Sequence, residues 1–262
     1  MERKDNLHIH YTDVGNGQPI VFIHGWNADS TVFDFVSRSL LEYRCISYDA
    51  RGHGDSDAVD NGVSMKVLAE DLAWLIESLD LECPVLAGWS MGAATIFEYV
   101  KRFGCSNLKK IILIDMSPKI VNDDVWKLGL CQGAYRIEDY FRDMTVQYEN
   151  FEKFFDSNML VSHTMPAPDA PSKSRKKDYY TLTALWHAMC MADYRDMLPK
   201  IEVPTAVFYG DPGDKYSPVT AYYLQKTISG QVDMVPFYDC GHDLMFQEPE
   251  KFAAEVKKFL EK

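Results

Sequence analysis

The 262 residues contain no uninterrupted apolar run near the ~18–20 residues that a membrane-spanning helix requires, so membrane insertion is not expected. The opening stretch, MERKDNLHIHYTDVG, is charged and then alternating. It lacks the apolar core of an export signal, and a cytoplasmic location is the resulting expectation. Basic residues are the minority, 27 Lys and Arg against 39 Asp and Glu, for a formal net charge of −12. Repulsion of that sign opposes encounter with nucleic acid or an anionic membrane surface and leaves a small neutral substrate unaffected. Cysteine is sparse: Cys45, Cys83, Cys105, Cys131, Cys190 and Cys240 are scattered, with no C-x-x-C pair. That spread fits reduced thiols rather than a disulfide framework, and no Cys/His cluster has ligand spacing, so no metal is expected. No internal repeat is present.

The chain does have a succession of short apolar runs separated by helical spacing. Residues 6–13 alternate, with His8 and His10 on one face, and read as a strand. Gly15-Asn16-Gly17 turns the chain into the apolar run Pro19–His24, an antiparallel start. Further strands are expected at Arg44–Asp49, Val85–Ala87, Lys110–Asp115, Thr205–Tyr209 and Met234–Tyr238. Ser64 can cap a helix whose apolar residues run Val67, Leu68, Leu72, Leu75, Ile76, Leu79, and Pro249–Leu260 reads as a closing amphipathic helix. Strands that are apolar on both faces and alternate with helices imply a mostly parallel sheet covered on both sides. The segment 117–200 has no convincing strand and is rich in aromatic residues and Met, including Trp126, Tyr135, Phe141, Met144, Trp186, Met189 and Met191. It reads as a helical cap inserted into a core made of 1–116 and 201–262, with a loop over 165–177 whose Arg175-Lys176-Lys177 run is solvated.

Within PVLAGWSMGAATIFEYV, Ser90 stands between Gly88 and Gly92 where a strand becomes a helix. A serine hydroxyl is a weak nucleophile until a base takes its proton, and it needs donors where oxyanion charge develops. A strand-to-helix turn lifts the side chain out and aims the first helical N–H groups at the same point. The pattern alone would arise by chance in about one chain in ten of this length. Two later loops give it weight. Gly210-Asp211-Pro212-Gly213-Asp214 comes after one strand and Asp239-Cys240-Gly241-His242 after the next, and parallel sheets gather function at the carboxyl ends of their strands.

Taken with His24-Gly25-Trp26 and Asp49-Ala50-Arg51-Gly52-His53-Gly54-Asp55-Ser56, these pieces resemble the α/β-hydrolase fold along the whole chain. The resemblance implies an eight-stranded, mostly parallel sheet with helices on both faces. It also implies Ser90 as nucleophile, His242 as base and then acid, and Asp214 as the carboxylate orienting His242. Asp211, three residues earlier, and Asp115, at the alternative acid position of some relatives, are the other candidates for that carboxylate. The Trp26 and Met91 N–H groups would form the oxyanion hole, with His24 and the Asp49–Ser56 turn bracing loops. The Trp26 and Trp89 rings are candidate walls of the acyl site. A serine at this turn implies acyl transfer to water without a cofactor. Partial resemblances point to pimeloyl-carrier-protein methyl ester esterases and to the cofactor-free haloperoxidase and arylesterase group. A small-molecule ester is the expected partner, with perhydrolase, thioester or lactone chemistry, or a non-catalytic sensor, as alternatives.

Overall fold

Residues 1–2, 6–58, 62–149 and 178–262 are described by a computed structural model. The apolar runs become strands β1 (Tyr11–Val14), β2 (Pro19–Ile23), β3 (Arg44–Tyr48), β4 (Val85–Trp89), β5 (Lys110–Ile114), β6 (Thr205–Pro212) and β7 (Val232–Cys240). They form one sheet in the order β1-β3-β2-β4-β5-β6-β7, parallel throughout except where β1 pairs antiparallel with β3.

Two expectations are corrected here. Among the described residues the sheet has seven strands, not eight. The antiparallel start is also not a β1–β2 hairpin, because β3 lies between the two. Residues 7–10 keep their alternation, with Leu7 and Ile9 buried. They lie outside the named strands, with the Asp49 N–H donating to the His10 carbonyl (2.9 Å) and the Ile9 N–H to the Met1 carbonyl (2.9 Å). The His8 N–H donates to Asp57 Oδ2 (2.9 Å) and the His10 N–H to Ser56 Oγ (2.9 Å), so side chains of a neighbouring turn satisfy the groups a strand would have paired.

Alternate residues of each central strand enter two cores. Val21, Ile23, Ile111 and Leu113 face one side, packed with α2 (Met65–Ser78), α3 (Met91–Phe103) and α6 (Pro218–Thr227). Ile20, Phe22, Ile112 and Ile114 face the other, against α1 (Asp34–Ser39) and α8 (Pro249–Glu261). Helix α2 begins as expected: the Ser64 hydroxyl accepts from the Val67 N–H, and Leu68, Leu72, Leu75 and Ile76 are buried.

The chain between β5 and β6 contains α4 (Ile137–Glu149) and α5 (Tyr179–Met191), which pack on each other. The expected loop over 165–177, with its basic run, lies outside the described residues. Asn122 ties the entry to this segment, donating to the Leu130 and Tyr135 carbonyls and accepting from the Gly129 N–H. Of its aromatic and Met residues, Trp126, Tyr135, Trp186 and Met189 are buried, while Phe141 and Met191 are exposed. α7 (Leu244–Gln247) is a single short turn ahead of α8. All six cysteines are free thiols, and no helix of the described residues is long and apolar enough to cross a membrane.

Candidate active site

Ser90 sits between β4 and α3 with φ 53° and ψ −114°. This is a backbone conformation that L-residues rarely adopt, and it costs on the order of 1–3 kcal/mol unless the surroundings impose it. The surroundings do impose it. A Cβ on Gly92 would lie 2.0 Å from the Ile23 carbonyl oxygen, and one on Gly88 would lie 2.4 Å from the Gly92 carbonyl carbon. Both glycines are therefore required by the close approach of helix, elbow and β2. The Ser90 N–H donates to the Ile114 carbonyl (3.0 Å), which seats the elbow against the last residue of β5.

The next residue after β5 is Asp115, itself at φ 42°. Its Oδ2 lies 2.6 Å from His242 Nδ1, and both side chains are nearly out of solvent, at 3% and 13% exposure. Burial raises the Asp115 pKa, against the lowering effect of the His242 hydrogen bond and of the Gly210 N–H. For His242, burial works against the charged imidazolium. The hydrogen bond and charge of Asp115, joined by the charges of Asp243 and Asp214, outweigh it and hold the pKa above the ordinary 6.5. The imidazole has two tilted ring neighbours, Trp89 at 5.3 Å and Tyr216 at 5.9 Å.

The carboxylate that reaches His242 is thus Asp115, where the sequence pointed first to Asp214. Asp214 Oδ1 accepts from the Lys215 N–H (2.8 Å). Its carboxyl group is turned onto Gly241, so that a Cβ there would lie 2.8 Å from Asp214 Cγ. Asp211 lies within the extended end of β6, opposite Tyr238.

Trp26 and Trp89 are both engaged in packing. The Trp89 indole N–H donates to the His242 carbonyl (3.0 Å), and its ring lies where Gly25 would carry a Cβ. It is buried and holds the histidine loop from beneath. Trp26 donates through its indole N–H to the Leu182 carbonyl (2.7 Å) and packs on Trp186, which joins the His24-Gly25-Trp26 loop to α5.

Two further histidines brace that loop, as the sequence implied for His24. His24 accepts from the Ala50 N–H at Nε2 (2.9 Å) and approaches the Gly25 carbonyl with Nδ1 (2.7 Å). His53 accepts from the Asn27 N–H at Nε2 (3.3 Å) and approaches the Arg51 carbonyl with Nδ1 (3.1 Å). An accepting Nε2 and a donating Nδ1 make each ring neutral. Burial lowers both pKa values, that of His53 to about 3.

Several supports escape the sequence pattern. Arg51 is held by a buried, two-pronged pair with Asp71 (2.6 Å), whose one signal is a carboxylate set on the apolar face of α2 between Leu68 and Leu75. Tyr216, whose ring is tilted 58° to that of His242 and whose hydroxyl donates to Met116 Sδ (3.2 Å), leaves no signal in the spacing. His10, Asp49 and Asp55 bring one donor atom each within 4.8 Å of one another. The Asp49 oxygens already accept the Ser30 and Asp55 N–H groups, so the cluster reads as a loop anchor.

A serine elbow after β4 and an Asp–His pair drawn from the carboxyl ends of β5 and β7 place the chain among the α/β hydrolases. The family model described as "Alpha/beta hydrolase family" matches residues 20–255, and the chain belongs to that family. A non-heme haloperoxidase from Rhodococcus erythropolis is 31% identical, over 98% of this chain and 97% of its own length. A pimeloyl-[acyl-carrier protein] methyl ester esterase from Nitrosospira multiformis is 24% identical, over 96% of this chain and 97% of its own length. Among solved structures, an esterase from Exiguobacterium antarcticum superposes with a TM-score of 0.86 at 26% identity, over 99% of this chain and 97% of that one.

Proposed function

We propose that the protein is a serine hydrolase that cleaves a small carboxylic ester through an acyl-enzyme. The observation that carries the reading is the buried His242–Asp115 pair, 2.6 Å apart, beside the strained Ser90 elbow. With Nδ1 held by Asp115, Nε2 is the ring nitrogen left to take the Ser90 proton. Ser90 Oγ then attacks the ester carbonyl, and the tetrahedral oxyanion is met by the Met91 and Trp26 N–H groups. The imidazolium returns its proton to the leaving alkoxide, the alcohol departs, and water repeats the sequence to release the acid and restore Ser90. Asp115 orients the ring and balances its charge, the role that loop spacing assigns to Asp214. The Trp26 ring forms one wall of the acyl site, with Trp89 acting from behind through His242. The described residues between β5 and β6 cap the site, joined to the His24-Gly25-Trp26 loop by the Trp26–Leu182 hydrogen bond.

Ser90→Ala tests the reading. It should abolish hydrolysis of p-nitrophenyl acetate and butyrate and labelling by a fluorophosphonate, with the thermal unfolding transition retained. Turnover of the variant above the uncatalysed rate would remove Ser90 from this role. The Rhodococcus relative's name favours a second reading, in which hydrogen peroxide replaces water and the acyl-enzyme yields a peracid. Bromide oxidation by the wild type in acetate and peroxide, absent in Ser90→Ala, would support it.

A further inference from the structure

Behind the Trp26 ring lies a buried polar pair that the proposed reaction does not use. Trp26 packs on Trp186 with ring centres 5.1 Å apart, and Trp186 meets Tyr135 edge to face, at 6.2 Å and 74°. Trp26 is half-buried, whereas Trp186 and Tyr135 are buried. The series ends at the Tyr135 hydroxyl, which donates to Asp143 Oδ2 (2.8 Å) away from solvent. The Tyr135 backbone is already held on both sides. Its N–H donates to the Leu130 carbonyl (3.1 Å), and its carbonyl accepts the Asn122 N–H and Nδ2 (2.8 Å each). What the backbone leaves free is the direction of the ring, and the bond to Asp143 fixes it.

Packing alone does not account for Asp143. The Arg142 guanidinium stands 3.9 Å from its Oδ1, but that side chain is exposed and already paired with Asp139 (2.9 Å). Burial pushes the Asp143 carboxyl above its ordinary range, against the lowering effects of the Tyr135 hydrogen bond and the Arg142 charge. An apolar side chain of like volume would fill the same space without that desolvation cost. A hydrogen bond to a carboxylate is directional and stronger than one to a neutral acceptor, so it selects one ring position where apolar contact would allow several.

We propose that Tyr135 and Asp143 are positioning residues for acyl-chain length: their hydrogen bond holds Trp186, and through it the Trp26 ring, as a fixed wall of the acyl site. The inference rests on the serine-hydrolase reading above, in which Trp26 forms that wall. The Trp26 indole N–H is pinned to the Leu182 carbonyl, about one turn before Trp186 on α5, so the wall is attached twice to the same helix. An acetyl group is too short to press on such a wall, whereas a long acyl chain must displace it. Loss of the Tyr135–Asp143 bond lets the series of rings recede, and long chains alone gain from the space.

The test replaces the pair by apolar groups of similar size, Tyr135→Phe with Asp143→Leu, and compares kcat/KM for p-nitrophenyl octanoate and acetate. In the double variant the octanoate-to-acetate ratio should rise at least ~10-fold, with acetate within ~3-fold of wild type and the thermal unfolding transition retained. Asp143→Asn keeps an acceptor for the Tyr135 hydroxyl, and its ratio should stay within ~3-fold of wild type. The indole N–H proton resonance of Trp26, which needs no turnover, should move in the double variant and stay in place in Asp143→Asn. An unchanged ratio in the double variant overturns the proposal, as does a change that Asp143→Asn reproduces in full. If the double variant fails to fold, Tyr135→Phe alone carries the comparison: a raised ratio with a moved resonance supports the proposal, and an unmoved resonance refutes it. The two readings fail separately. Ser90-dependent hydrolysis with an unchanged ratio removes the positioning role alone. A protein without Ser90-dependent hydrolysis overturns the proposed function, and the Trp26 resonance then decides whether the Tyr135–Asp143 bond holds that ring.

Discussion

The loop that carries the Trp26 N–H hangs on a histidine that cannot be charged, and acid should loosen it by a calculable amount. In the folded chain His53 stays neutral down to about pH 3, whereas the unfolded chain takes up that proton near 6.5. Above 6.5 neither state binds the proton. Below it the unfolded state binds one more than the folded state, so stability falls as pH falls, until the folded ring protonates near 3. At pH 5 the unfolded ring lies about 1.5 units below its midpoint, which at 1.36 kcal/mol per unit is a loss of about 2 kcal/mol. His24, also lowered by burial, adds a loss in the same direction. His242, raised above 6.5, works oppositely, contributing stability below the unfolded pKa that disappears as pH rises through the folded one. The total pH dependence therefore mixes signs, and the informative quantity is a difference. In His53→Gln the side-chain amide oxygen can still accept the Asn27 N–H, but nothing titrates. Urea unfolding of both proteins at pH 7 and pH 5 should give a drop about 2 kcal/mol smaller in the variant, whatever its absolute stability. Equal drops would mean that His53 accepts a proton within the fold, and the neutral-brace reasoning would be refuted.

Two more expectations rest on the same geometry. Because His242 must be neutral to accept the Ser90 proton and its pKa is held above 6.5, kcat/KM should rise with pH through a midpoint above 6.5 and then level off. Asp115→Asn should lower both the plateau and the midpoint, and a wild-type midpoint at or below 6.5 would contradict the electrostatics. Gly92→Ala drives a methyl to 2.0 Å from a backbone oxygen of β2 that cannot yield without moving the sheet. It should cost about 3 kcal/mol or more in thermal or urea unfolding, with activity lost alongside, and near-wild-type stability would show that α3 does not approach β2 that closely.

The order of strands and helices was legible because it rests on local chemistry. Runs such as Val85–Ala87 and Lys110–Asp115 are apolar on both faces, and their ends are marked by glycine or by the polar residues of a turn. Ser64 announces α2 through a hydrogen bond that needs only four consecutive residues. The elbow was legible for the same reason, since Gly88 and Gly92 answer contacts that any such turn must make. The count and pairing of strands were not. Residues 7–10 alternate as a strand does, and they bury Leu7 and Ile9 as a strand would. Whether their N–H groups meet another strand or the side chains of Ser56 and Asp57 depends on a partner more than 40 positions away. Proximity in sequence favoured a β1–β2 hairpin, yet β3, arriving later, lies between them.

The acid shows where local reasoning stops, and why. Three aspartates lie at the right ends of strands, and spacing alone favours the one in the Gly210–Pro218 loop. Spacing does not report the direction in which a side chain leaves its turn. The Ser90 N–H bonds to the Ile114 carbonyl, so the residue after Ile114 is fixed beside the elbow by the sheet itself. At φ 42° Asp115 turns its carboxylate toward the loop that follows β7. Asp214 stands on a longer excursion beyond β6, where its backbone has already left the ladder, and its carboxylate settles against Gly241 rather than the imidazole. The position nearest the nucleophile in the sheet is thus also the one whose side chain is least free to miss. The histidine loop lies against the Asp214 carboxylate at Gly241, which leaves a second carboxylate within the field of His242 without making it the first partner.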